Sequence, residues 1–405
     1  MPHDAPHHPD LNMRPRHRHI GAAGHLDPGL PQRLKDLLAH GKAAVATPFT
    51  GLTADGTPTQ GLFPLHRTGV SLAPVIAAAE TFLAALSPAE RDTATFPIDS
   101  DAWREWSNIH PYLMRHGVSL HDLSGHQRDA ALALVRETLS ASGFATARNV
   151  MKLNEHIREL TGRPEEYGEW YYWLSVFGTP SGEQPWGWQI DGHHLIINCF
   201  ALADQIVLTP QFLGSEPVVA DSGQYAGTRV FEAEEAKGFA LMRALTPQQQ
   251  QEATISQDLP MEVFAAAYRD NLTLSYQGIR YDRLTPDQQG LLRDLIGVYA
   301  GRIRPGHAEI KMEEVAGHLP ETWFAWMGSC DDASPFYYRV HSPVILIEFD
   351  HQRGVALDND EPSRNHIHTL VRTPNGNDYG RDLLRQHYEQ HDHIHPQSPH
   401  RRGLE

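Results

Sequence analysis

The chain is poor in cysteine, in basic charge and in long apolar runs, and each shortage closes off a class of protein. Two cysteines in 405 residues, Cys199 and Cys330, give no disulfide framework and no zinc cluster of cysteine type. The 34 Lys and Arg stand against 50 Asp and Glu, a formal net charge of -16. Neutralising phosphates needs a basic face, so a nucleic-acid partner is not expected, nor is an anionic membrane surface. No stretch of about 18 apolar residues exists to span a bilayer. The first 20 residues are rich in His, Pro and Arg and lack the apolar core of a signal peptide, so a cytoplasmic protein is expected. Familiar catalytic signatures are missing too: no Gly-x-Ser-x-Gly elbow, Walker loop, Gly-x-Gly-x-x-Gly or His-Glu-x-x-His. Neither cysteine lies in a recognisable nucleophile context.

A hydrophobic content of 40% and a charged content of 21% suit a soluble globular protein, and histidine is abundant at 26 residues. Residues 1–70 show little periodicity and read as an extended or partly disordered arm. Helical spacing begins near Leu72. Ser87-Pro88-Ala89-Glu90, Thr246-Pro247-Gln248-Gln249 and Thr285-Pro286-Asp287-Gln288 each combine a cap, a proline at the first helical position and an acceptor three residues on. Ser124-Gly125-His126-Gln127 fits the same box without the proline. Helices are predicted over 125–141, 145–160, 231–244, 247–256 and 287–300, with a last one after Asp378. Strand-like material falls in two blocks, from Trp170 to Leu208 and from Trp323 to Thr373. That order lacks regular strand–helix alternation, so the expected class is α+β, a largely antiparallel sheet flanked by helices with a helical N-terminal half. One domain over 71–391 and a His-rich tail over 392–405 complete the expected organisation.

His366-Ile367-His368-Thr369-Leu370-Val371-Arg372 alternates and is rich in β-branched residues, so it reads as a strand. His366, His368, Leu370 and Arg372 then project to one face, and two imidazoles one pleat apart can reach one metal ion. Upstream, Pro343 to Asp350 is an apolar run interrupted by Glu348. A buried carboxylate needs a partner. Glu348 is therefore either a ligand to the same metal or the ion-pair partner of Arg339 or Arg372. In Trp186 to Asn198, Asp191-Gly192 resembles a two-residue hairpin turn, after which His193 and His194 point to opposite faces. At most one of them joins the site, and His194 is favoured because Asn198 makes its face the more polar. Trp186, Trp188 and Tyr338 are core residues or walls of an aromatic pocket whose substrate Arg372 orients. Arg372 lies roughly 13 Å along the strand from His368, suited to the far end of an anionic substrate. His387 and His391, one helical turn apart, are expected on a solvated surface.

Asn365-His366-Ile367-His368-Thr369 with Arg372, Gly376, Asp378-Tyr379-Gly380 and Asp382-Leu383-Leu384 resembles the end of an uncharacterised family, domain of unknown function 3500. Trp186-Gly187-Trp188, Gly192-His193-His194-Leu195, Thr209-Pro210 and Tyr337-Tyr338-Arg339 extend the resemblance over about 71–391. It implies no activity. His341 and His351 depart from the family pattern, which weakens both as ligands and leaves His194, Glu348, His366 and His368 as the stronger set.

The leading expectation is an enzyme with one divalent metal, zinc or iron, held by His366, His368 and one or both of Glu348 and His194. Zinc-activated water would hydrolyse a small organic substrate, anionic or aromatic, with Glu348 and His194 in catalytic roles. Two histidines and a carboxylate equally suit a non-haem iron oxygenase. From a different class, a metal-free protein that binds a small molecule remains open.

Overall fold

The computed structural model describes residues 32–109 and 116–390. Its helices are α1 (Gln32–Ala46), α2 (Ala73–Ala85), α3 (Pro88–Ala94), α4 (Gly125–Thr138), α5 (Ala141–Thr161), α6 (Glu232–Ala244), α7 (Pro247–Ala253), α8 (Pro286–Ala300), α9 (His307–Gly317) and α10 (Arg381–Gln390). Its strands are β1 (Thr95–Phe96), β2 (Val118–Ser119), β3 (Tyr172–Gly178), β4 (Trp186–Gly192), β5 (Leu195–Leu202), β6 (Gln205–Val207), β7 (Gln211–Ser215), β8 (Thr254–Ser256), β9 (Ile279–Arg280), β10 (Trp323–Gly328), β11 (Phe336–His341), β12 (Leu346–Arg353) and β13 (Pro362–Arg372). The four helix starts read from the sequence are all present. Ser87, Ser124, Thr246 and Thr285 each accept the backbone N–H three residues on, and the Glu or Gln there reaches back to the cap.

The strands form one open sheet in the order β1-β3-β4-β5-β7-β13-β12-β11-β10-β8, with β2, β6 and β9 attached beside β3, β5 and β10. Only β1–β3 and β8–β10 pair in parallel, so the class is α+β with a largely antiparallel sheet. The sequence-distant β7 and β13 meet at its centre. One face is covered by helices, through Val75, Ala131, Val150, Leu241 and Leu292, over a continuous apolar core. The other is covered by irregular segments bearing Leu52, Trp103, Trp106, Val263 and Ala265.

Four expectations need correction. The boundary drawn at residue 70 falls inside the packed structure: α1 precedes it, Leu52 and Phe63 are buried, and Thr53 exchanges backbone bonds with Leu272 and Leu274. A chain so short of apolar residues is held here by backbone pairing with 272–274, which composition does not reveal. The helix expected over 247–256 stops at Ala253, and its last turn is strand β8. The turn expected at Asp191-Gly192 lies at His193-His194, because β4 and β5 stay paired through Ile190 and Ile197. Gly192 is a close-approach glycine: a Cβ there would sit 2.4 Å from the Tyr172 ring. His194 takes the positive φ instead, at 59°. His387 is buried rather than solvated, while His391 and the His-rich tail lie outside the described residues. Among the described residues no helix is long and apolar enough to cross a membrane.

Candidate metal centre

β13 presents His366, His368, Leu370 and Arg372 to the face covered by irregular segments, as alternation requires. The β4–β5 turn delivers His194 to the same point. His366 Nε2 and His368 Nε2 are 3.0 Å apart, and His368 Nε2 and His194 Nε2 are 3.2 Å apart. All three rings are buried, and one nitrogen from each lies within 4.8 Å of the others. Tetrahedral zinc with Zn–N of about 2.0–2.1 Å separates its nitrogens by roughly 3.3 Å, so the spacing matches a ligand set. Gly214 makes the approach possible. A Cβ there would come within 2.8 Å of the His368 ring and 3.4 Å of the His194 ring.

The outer hydrogen bonds fix what the inner nitrogens carry. His366 Nδ1 lies 2.7 Å from the Arg353 carbonyl oxygen, which only accepts, so Nδ1 holds the proton. Burial, and then the charge of His368, hold the His366 imidazole well below its ordinary pKa, so it is neutral and Nε2 is a lone pair. His368 Nδ1 lies 2.7 Å from Glu262 Oε1. Desolvation pushes Glu262 up, but the His368 charge, the His368 hydrogen bond and donors from Val263 and Asn108 outweigh it, leaving an ionised acceptor. His368 therefore also donates through Nδ1. Two imidazole Nε2 atoms then face one another at 3.0 Å, which is repulsive unless a proton or a metal ion lies between them. Carbonyl and carboxylate partners of this kind orient histidine ligands in metal sites.

His193 stays out of the cluster: its Nδ1 meets Asn154 Oδ1 at 2.8 Å, and its ring stacks on His194 at 4.0 Å. Burial, with a contribution from His368, pushes its pKa down to about 3.

The carboxylates beside the histidines are Glu262 and Asp350, next to His368, and Glu216, whose Oε2 lies 3.7 Å from His366 Nδ1; Glu348 is not among them. The antiparallel register sets Asp350 directly opposite His368 and Glu348 opposite Leu370, one pleat or roughly 7 Å further along. Asp350 is fully buried; Gln352 donates to Oδ2, and Oδ1 has no partner among the described residues. Burial, then the neighbouring Glu262 and Glu348, drive its carboxyl well above the usual range. Oxygens of Glu262 and Asp350 and a His368 nitrogen also lie within 4.8 Å of one another. Glu348 instead accepts Phe264 N–H at 2.7 Å, Ala265 N–H at 2.8 Å and Tyr337 Oη–H at 2.7 Å. It holds the segment that carries Glu262. Glu216 does the same for the loop after Arg353, accepting the N–H groups of Val355, Ala356 and Leu357 at 3.0 to 3.1 Å.

Arg372 is not open to a substrate. Fully buried, it donates to Asp270 Oδ1 at 2.8 Å, Asp378 Oδ2 at 3.1 Å and the carbonyls of Ala265 and Ala266. Tyr338, Trp186 and Trp188 point to the opposite face, into the helix-covered core. There Tyr338 Oη donates to the Glu234 carbonyl at 2.9 Å and Trp188 Nε1 to Thr138 Oγ1 at 3.2 Å. They are core residues. His351 lies on that far face against Glu235, and His341 lies against Tyr276, so neither joins the centre.

The family model described as "Protein of unknown function (DUF3500)" matches residues 68–381, well over half of the chain. The chain belongs to this family. No curated protein and no solved structure matches it. The DUF3500 match spans His194, Asp350, His366 and His368, together with Glu262, Glu348 and Gly214. Glu262 carried no sequence signal, since it lies in an irregular segment far from the strand it serves. Asp350 stood at the end of the apolar run, and only the strand register singles it out over Glu348.

Proposed function

We propose that this protein is a metal-dependent enzyme in which His194, His366 and His368 hold one divalent cation, zinc in the first reading, for hydrolysis of a small organic substrate. The observation that carries this is the convergence of three buried Nε2 atoms, two of them with their Nδ1 protons committed to Arg353 and Glu262. Zinc bound this way supplies a water whose pKa approaches neutrality. With zinc bound, Asp350, whose Oδ1 has no partner among the described residues and which lies beside His368, would be the group to hold or take up a proton next to the metal. Met261 and Val355, 76% and 56% exposed, flank the two segments that provide Glu262 and the Arg353 carbonyl. They support a substrate with an apolar portion at the rim. The anionic substrate expected from Arg372 loses its support, because that guanidinium is spent on Asp270 and Asp378.

A non-haem iron oxygenase is the second reading, favoured by the carboxylates of Glu262 and Asp350 beside His368. Elemental analysis of untagged protein tests both. About one equivalent of zinc or iron per chain supports a metal enzyme, and its loss in His368→Ala locates the metal. Oxygen consumption with added ferrous iron separates the oxygenase from the hydrolase. Metal-free protein that takes up no divalent cation favours a binding protein instead.

A further inference from the structure

A cavity lies away from the histidines. It holds about 110 Å³ on the helix-covered face, partly open to solvent. β7 and β13 floor it with Gln211 and Val371, while their alternate residues Gly214 and His368 face the metal centre. The other walls are largely aliphatic, formed by Val207, Ile303, Ile310, Ile345 and Leu383.

The polar side chains on this wall are mostly engaged by the protein. Thr209 and Thr373 bond each other through their hydroxyls at 2.7 Å, and Gln211 accepts from Arg302 at 3.1 Å. Tyr299 Oη lies 2.5 Å from Tyr338 Oη. The Lys311 ammonium donates to Glu314 at 2.5 Å and to the Val344 carbonyl at 2.9 Å. With its charge paired, the wall makes no demand for an anion. His307 is the exception among these groups. Its Nε2 must carry a proton, because it bonds the Asp204 carbonyl at 2.9 Å, so Nδ1 is a buried lone pair with no donor facing it among the described residues. Burial holds that imidazole below its ordinary pKa, which keeps Nδ1 an acceptor.

We propose that this cavity is a second binding site, separate from the metal centre, for a small neutral molecule of about one ring that is apolar apart from a hydroxyl donated to His307 Nδ1. An engineered apolar cavity of about 150 Å³ stays dry and takes benzene, so the volume is of the right order. The inference does not depend on a metal being bound.

The test is a thermal-shift titration of the whole protein with benzyl alcohol, toluene and benzoate, repeated on Val207→Phe and Ile303→Phe, each of which fills the cavity from a different wall. Fluorobenzene observed by fluorine NMR gives a readout independent of melting. Benzyl alcohol is expected to raise Tm saturably, with an apparent Kd several-fold below that of toluene and no shift from benzoate. Either filling variant that folds should weaken benzyl alcohol at least tenfold and abolish the bound fluorobenzene signal, with metal content unchanged. A failed metal assignment leaves these shifts intact, so the two readings fail separately. The proposal is overturned by the absence of a saturable benzyl alcohol shift, by benzoate matching it, by toluene matching it, or by shifts that persist in the filling variants.

Discussion

Glu348→Gln separates an anchoring role from a ligand role. Three donors converge on the Glu348 carboxylate: Phe264 N–H and Tyr337 Oη–H on one oxygen, Ala265 N–H on the other. An amide has one oxygen, so either orientation turns its NH2 toward at least one buried donor. Losing one such bond and leaving its donor unsatisfied costs about 3 kcal/mol. At about 2 °C per kcal/mol for a domain of this size, Tm should fall by roughly 6 °C. The melt is to be run on chelated protein, which removes any contribution from a metal. Metal affinity should fall only modestly, because Glu348 touches the centre through the segment that carries Glu262. A metal-free variant that melts within 1 °C of wild type yet no longer binds metal would refute this assignment and restore Glu348 as a ligand.

Arg372→Lys should destabilise metal-free protein by about 3–5 kcal/mol, since a lysine leaves Asp270 and Asp378 underpaired in the core; urea unfolding within 1 kcal/mol of wild type would contradict it. Gly214→Ala should weaken metal binding at least tenfold while the sheet survives, because its Cβ meets the His368 ring at 2.8 Å; competition against a chelator reads this, and an unchanged affinity refutes the crowding argument. His341 is buried and, chiefly by burial, pushed down to about 3. A depressed folded pKa means stability is lost as pH falls below the unfolded value near 6.5, so the stability of His341→Gln relative to wild type should rise by about 1.4 kcal/mol per pH unit from pH 6.5 toward 4. A difference independent of pH would show that His341 titrates normally.

Much of the centre was readable because strand alternation is local information. His366 and His368 share a face in any strand that contains them, and the capping boxes at Ser87, Ser124, Thr246 and Thr285 depend only on residues within one turn. What escaped is set by long-range pairing. Glu348 and Asp350 occupy the same face of the same strand, and only the register with β13 decides which of them meets His368. Arg372 looked free for a substrate because Asp270 sits in an irregular segment about a hundred residues away in sequence. His194 is expected on a strand face and instead reaches the His366–His368 cluster from the hairpin turn. Trp186, Trp188 and Tyr338 are aromatic in either role, and only their face of the sheet assigns them to the core.

The central claim is that three imidazoles, from the β4–β5 turn and from β13, bind one metal through Nε2. X-ray absorption at the metal edge, on untagged wild-type protein loaded with one equivalent of zinc, tests it most directly. The account predicts three imidazole nitrogens at about 2.0–2.1 Å, with a fourth position filled by water or a carboxylate oxygen, and loss of that signature in His194→Ala and in His366→Ala. An unchanged spectrum in those variants would contradict the account, because the metal would then be held elsewhere on this histidine-rich chain.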